Sequence, residues 1–338
     1  VQWALYYPPI LTGDTMQADA ALREAVRHVD HGDTTAAFAA LDQVAENARD
    51  TTYHLHRAAV LLNVGRQDEA RDAIDTALQR DPRAPNAGLA HAFRAIIHVV
   101  QNERDQALAH AEKAVALSDT AATRIALSYA QQADFRIDAA RDTLLIAVKN
   151  YPEDALAWAR LSEVRLMLGE KELSREAAAK SAAIAPDLAR AQLVMGFASL
   201  AEYRDTEARA SFEKAIELSP SDPLAHLGMG LAKISAGELQ AGRQELEVAV
   251  ALDSNQALLR AYLGKAYFEE RRSTLDAQQF EIAKSLDPLD PTAFLYDGIR
   301  QQTENRPVEA LDALEQSMVL NDNRAVYRSR LLLDKDRA

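Results

Sequence analysis

No cysteine occurs in the chain, which excludes disulfides, thiolate catalysis and cysteine-ligated zinc. Glycine is scarce, at 12 of 338 residues, and the glycine-bearing P-loop, GxGxxG and GxSxG patterns are absent, as is the zinc-binding HExxH. No catalytic constellation and no cofactor are expected. Basic side chains are outnumbered, 38 against 51 acidic, and the net charge of −13 repels a phosphate backbone, so nucleic acid is not an expected partner. No window approaches the roughly 18 uninterrupted apolar residues of a membrane span, and the opening strip lacks the basic flank and long apolar core of a signal peptide. A soluble chain is expected. Val1 in place of a starting methionine implies a processed or excised product.

What the chain has in abundance is apolar side chains, 48% of all residues, arranged in a repeat. Pro152, Pro186, Pro220 and Pro288 fall on a 34-residue series whose missing members are Ser254 and Asp322. A second series runs in phase with it: Gly196, Gly230, Gly264 and Gly298 are each 34 residues apart. The positions Gly169, Tyr203, Gly237, Arg271 and Asn305 keep the same step. Within one unit, Ala208, Phe212, Ala215 and Ile216 recur at spacings of three and four, with Glu213, Lys214 and Glu217 on the opposite side, which predicts an amphipathic helix stopped by the following proline or aspartate.

The unit resembles the tetratricopeptide repeat, in which a bulky residue, Leu-Gly and an aromatic are followed by Ala, a large side chain, Ala and Pro. Trp158, Leu161 and Ser162 with Pro186 follow that outline, as do Leu263, Gly264, Tyr267, Phe280, Ala283 and Pro288; Ala208, Phe212, Ala215 and Pro220 supply its second half. The resemblance implies an all-α fold, an α-solenoid in which about nine helical hairpins and a final helix form a right-handed superhelix. The expected repeats are 18–49, 51–82, 88–119, 121–152, 155–186, 189–220, 223–254, 257–288 and 291–322. The organisation is thus an extended aromatic segment over 1–16, nine repeats over 17–322, and a helix over 323–338 that either caps the stack or begins a further repeat. Tyr203, Arg271 and Asn305 stand where the pattern has glycine, so loops of different shape are expected there. The turn over 81–88 is longer than its counterparts and predicts a slight break in the superhelix.

Histidine offers little chemistry. His28 and His31 lie three apart beside Asp30 and Asp33, more in keeping with a solvated helix end than with a metal site; His54 and His56 face opposite sides of a helix; His91 and His98 occupy bulky positions and are expected to be partly buried in the core. No metal is assigned. The resemblance instead directs attention to the concave face, at the second, fifth, ninth and twelfth positions of each first helix. There the chain carries Leu156 and Leu166, Leu193, Phe197 and Leu200, Leu224, Leu227, Leu231 and Ile234, Leu258 and Phe268, and Leu295 and Ile299. Only Arg190 and Lys265 are basic, which disfavours a clamp for acidic peptide ends. Either these positions form a groove for an extended or helical apolar segment, because so large an exposed patch is unusual on a soluble monomer, or they pack as core.

The opening VQWALYYPPIL is broken by Pro8 and Pro9 and so is not helical. Its Trp3, Tyr6, Tyr7 and Ile10 are rigid anchors of the kind that fill apolar pockets. The strip is expected to pack locally over Leu22, Val26 and Leu55. A shorter resemblance covers the same strip and RAVYRSRLLLD near the other end. Both are similar to segments of Gram-negative envelope proteins in which a FecR-like domain precedes such repeats and an outer-membrane β-barrel follows. That resemblance implies a periplasmic or cell-envelope location. The expected function is a non-enzymatic scaffold binding a protein or peptide segment. The alternative is a structural module whose superhelices self-associate through the aromatic strip.

Overall fold

In a computed structural model, residues 9–11, 20–30, 33–80, 82, 86–101 and 103–320 are described. They form nine consecutive helical hairpins, with no strand among the described residues. The pairs are α1 (Ala20–Asp30) with α2 (Thr34–Asp42), α3 (Thr51–Asn63) with α4 (Gln67–Arg80), α5 (Ala87–Val100) with α6 (Arg104–Leu117) and α7 (Ala121–Ala133) with α8 (Ile137–Asn150). There follow α9 (Ala155–Met167) with α10 (Lys171–Ile184), α11 (Ala189–Ala201) with α12 (Asp205–Leu218) and α13 (Pro223–Ser235) with α14 (Leu239–Leu252). The last are α15 (Ala257–Glu269) with α16 (Ser273–Leu286) and α17 (Pro291–Thr303) with α18 (Pro307–Leu320). Each expected repeat contains one hairpin. The expected final helix over 323–338 lies outside the described residues.

Local chemistry sets the ends. Asp154, Asp222 and Asp290 cap α9, α13 and α17 by accepting from Ala157, Leu224 and Thr292 N–H at 2.8 to 2.9 Å, filling donors that the first helical turn leaves open. Pro223 and Pro291 sit at the first helical position, where no N–H is needed. In seven of the nine hairpins the turn passes through one described left-handed residue: Gly65, Gly169 and Gly237, but also Phe135, Tyr203, Arg271 and Asn305, all at φ between 58° and 86°. The loops expected to differ at Tyr203, Arg271 and Asn305 therefore keep the same shape. A non-glycine residue there costs about 1–2 kcal/mol. The side chain escapes a clash by pointing into solvent, as Tyr203 does at 80% exposure.

Packing follows the repeat. First helices of neighbouring repeats touch one another, and each second helix packs against its own first helix and the next one. The hairpin closes at a small residue facing a large one sixteen positions on. A Cβ on Gly264 would stand 2.7 Å from the Phe280 ring, one on Gly230 would meet Leu246 at 2.9 Å, and one on Gly298 would meet Leu314 at 2.8 Å. Gly196 and Gly228 press on the buried ring of Phe212 from two successive repeats. Around the longer turn, residues 81 and 83–85 are outside the described set, but the buried core runs across it from Leu55 and Ile74 to Phe93 and Ile97. Asn86 Nδ2 donates to Thr52 Oγ1 at 2.8 Å over the same junction.

One hairpin departs from the apolar rule. In α5 and α6, His91 is 6% exposed and its Nδ1 lies 2.9 Å from Nδ1 of His110. The rings of His91 and His98 both stack on that of His110, with centres 5.1 and 5.2 Å away. One repeat further on, the equivalents of His91 and His110 are Ile125 and Leu144, both fully buried. Burial first, then the cations Lys113 and Arg94, pull His91 down to about 4; burial, His98, Arg94 and Lys113 do the same to His110.

Two outcomes follow from this packing. Gly264→Ala should lower stability by about 1–3 kcal/mol in urea unfolding, the range for an overpacked contact, and Phe280→Leu in the same chain should recover part of the loss. For the histidines, the folded state prefers the neutral ring, so their contribution is complete above the unfolded value of 6.5 and is lost as pH falls toward about 4. Urea midpoints should drop between pH 7 and pH 4.5, and His110→Leu should flatten that dependence.

Candidate ligand groove

On the inner face of the solenoid, four successive first helices line an open cavity of about 450 Å³. α9 contributes Ser162, Glu163, Leu166 and Met167; α11 contributes Arg190, Leu193, Val194 and Phe197; α13 contributes Leu224, Leu227 and Leu231; α15 contributes Leu258 and Tyr262. No second helix reaches it, which places it on the face opposite the outer layer. The volume lies within the range of ligand pockets, about 300–1,000 Å³.

The structure brings together seven of the residues expected on the concave face: Leu166, Leu193, Phe197, Leu224, Leu227, Leu231 and Leu258. Two others are core. Leu156 is 4% exposed and Leu295 is 1% exposed, the latter in a cluster with Leu314 of α18. Leu193 and Leu227, at the same repeat position as Leu295, show the cavity only an edge, at 2% exposure each. Leu200, Ile234 and Ile299 are half-buried against the clusters of their own repeats, and Phe268 is half-buried outside the cavity. Sequence reasoning missed Met167, Val194 and Tyr262, because the sixth and thirteenth positions lie beside, not on, the expected stripe.

One end of the cavity is ionic. Arg160, 3% exposed, donates from Nη1 to Glu163 Oε2 at 2.9 Å and from Nε to Ser128 Oγ at 3.1 Å, while its guanidinium lies 3.6 Å from the centre of the Tyr129 ring. Arg190 Nη2 reaches the other oxygen of Glu163 at 2.5 Å. Burial pushes the Glu163 carboxyl up, but Arg190 and Arg160 outweigh it and hold the group below its usual range. Ser162 Oγ and Ser174 Oγ are 3.0 Å apart. At the far end Tyr262 packs on Tyr296 with ring centres 5.7 Å apart, beside the Lys265–Glu269 ion pair.

Of the aromatic strip, Trp3, Tyr6 and Tyr7 lie outside the described residues. Ile10 is buried, at 4% exposure, in the cluster that contains Leu55 and Leu62, with Leu11 packed beside it; Leu22 and Val26 belong to a separate cluster. His31 is outside the described residues, and no cluster of three or more metal-ligating side chains occurs among those described. No helix among them is long and apolar enough to cross a membrane.

Residues 22–85, 60–122, 123–189 and 200–257 match the tetratricopeptide repeat, more than half of the chain, and the chain belongs to that family. Among solved structures it is similar to a chain of the Cut9–Hcn1 hetero-tetramer of the APC/C, with TM-score 0.69 and 18% identity, covering 96% of this chain and 64% of that one. It is also similar to the human IFIT1 dimer with PPP-AAAA, with TM-score 0.58, 16% identity and coverage of 88% and 81%. A tetratricopeptide repeat protein from Parabacteroides merdae aligns with TM-score 0.53, 12% identity and coverage of 84% and 98%. At these identities the likeness is one of fold. None of the curated proteins matches in sequence.

Glu163 is the group on which the ionic end depends. Glu163→Gln should leave two guanidiniums without their shared carboxylate and lower stability by about 3 kcal/mol in urea unfolding, with helix content by circular dichroism unchanged in the absence of denaturant.

Proposed function

We propose that this chain is a non-enzymatic scaffold that holds an apolar peptide or protein segment in the cavity between α9, α11, α13 and α15. The cavity itself carries the reading: four successive helices turn leucine, phenylalanine and methionine toward one open space, on the face that a solenoid's curvature makes available for binding. The polar groups around it are engaged with one another, so they fit the role of a border better than that of a catalytic set. A location in the cell envelope is proposed on the short resemblance of the terminal segments alone.

Selecting peptides from a random library against the full chain tests the reading. The recovered peptides should be apolar, and Leu231→Glu or Phe197→Glu should weaken their binding at least about tenfold, since each places a charge in a desolvated pocket, while the melting temperature falls little because both side chains are half-buried. Peptides that bind both variants as tightly as the parent chain would place the ligand elsewhere.

A further inference from the structure

We infer that the segment this cavity takes is an amphipathic α-helix with an apolar stripe and a basic outer face, not an extended strand; the inference rests on the groove reading above. An extended segment brings one N–H and one C=O per residue, and each such group buried without a partner costs about 1–3 kcal/mol. Extended peptides are otherwise recognised where a sheet edge or polar side chains supply those partners. This cavity supplies almost none. Its walls are α-helices, whose own backbone groups are paired along each helix, and the lining is otherwise leucine, valine, methionine and phenylalanine.

The few polar side chains are already committed. Ser162 is paired with Ser174 at 3.0 Å, Glu163 is held by Arg160 and Arg190, and the Tyr262 ring packs at a 57° tilt against Tyr296. A helix escapes the cost, because its backbone is satisfied internally and only a stripe of side chains at i, i+3, i+4 and i+7 has to be buried. Such a stripe is about 10 Å long. Charge complementarity sets the sign of the opposite face: the chain carries −13, so a helix with Lys or Arg outward is drawn in and an acidic one is repelled.

Three synthetic peptides, two of one Leu, Lys and Ala composition and a third differing by a single proline, test this by titration calorimetry with the full chain. All are about 18 residues, long enough to hold a helix. The first places Leu at i, i+3, i+4 and i+7, the second alternates Leu and Lys in strand fashion, and the third is the first with a central Ala→Pro. The helical peptide should bind at least about tenfold tighter than either of the others, and Leu231→Glu should remove that preference. Equal binding of the strand-patterned or proline peptide would overturn the helix while leaving the groove in place. Equal binding of a Glu-for-Lys version of the helical peptide would overturn the charge assignment. Binding of none of them would overturn the inference and the groove reading together.

Discussion

A hairpin of two short amphipathic helices leaves one apolar face uncovered, and every other feature of this molecule follows from the need to pass that face to the next hairpin. The contact inside the hairpin is therefore specified most tightly, because two helices can approach closely only where a small residue meets a large one. Gly264 against Phe280, Gly230 against Leu246 and Gly298 against Leu314 repeat that fit. Where Ser162 replaces the glycine, the position sixteen residues on holds Ala178, fully buried. Both members of that pair are small, and the hairpin is tied there by a polar contact instead, Ser162 Oγ lying 3.0 Å from Ser174 Oγ.

This explains why the hairpins could be read from the sequence. Proline and glycine mark two separate constraints, helix termination and close approach, and their coincidence on one period locates each unit. The turn residues mislead for a physical reason: a left-handed backbone is cheapest for glycine, but an exposed turn tolerates Phe135, Tyr203, Arg271 or Asn305, so the residue type under-reports the conformation. Two of these carry partial compensation, with Arg104 lying 4.4 Å from the Phe135 ring centre and Lys171 lying 5.6 Å from that of Tyr203.

The ionic contacts between repeats were harder to see. Arg141, Arg175, Arg209 and Arg243 recur every 34 residues, and each reaches into the next hairpin turn, to Glu170 at 3.3 Å and to Glu202, Glu238 and Glu270 at 2.9 Å. The arginines keep register but the glutamates do not: Glu170 and Glu238 follow the left-handed residue, while Glu202 and Glu270 precede it. A flexible arginine spans the difference, so the ladder exists in space without a fixed spacing in the chain. The concave positions show a similar limit. The periodicity distinguishes one helix face from another, but not the edge of that face which a neighbouring helix covers, as it covers Leu295.

The same accounting bears on how selective the proposed groove can be. Because Glu163 is engaged by Arg160 and Arg190, and Lys265 by Glu269, the cavity presents no unmet charge to a ligand. Polar discrimination is strong when a site holds buried groups that only the right ligand satisfies, whereas an apolar pocket separates ligands differing by one methylene by only about 1–3 kcal/mol. On the proposed reading, then, shape and apolar area set affinity while the net charge of the whole chain sets the rate of encounter. Such a groove recognises a class of segments rather than one sequence. Any finer choice of partner has to come from contacts outside the cavity, where the exposed turn residues Tyr203 and Phe135 stand on the edge of the same solenoid.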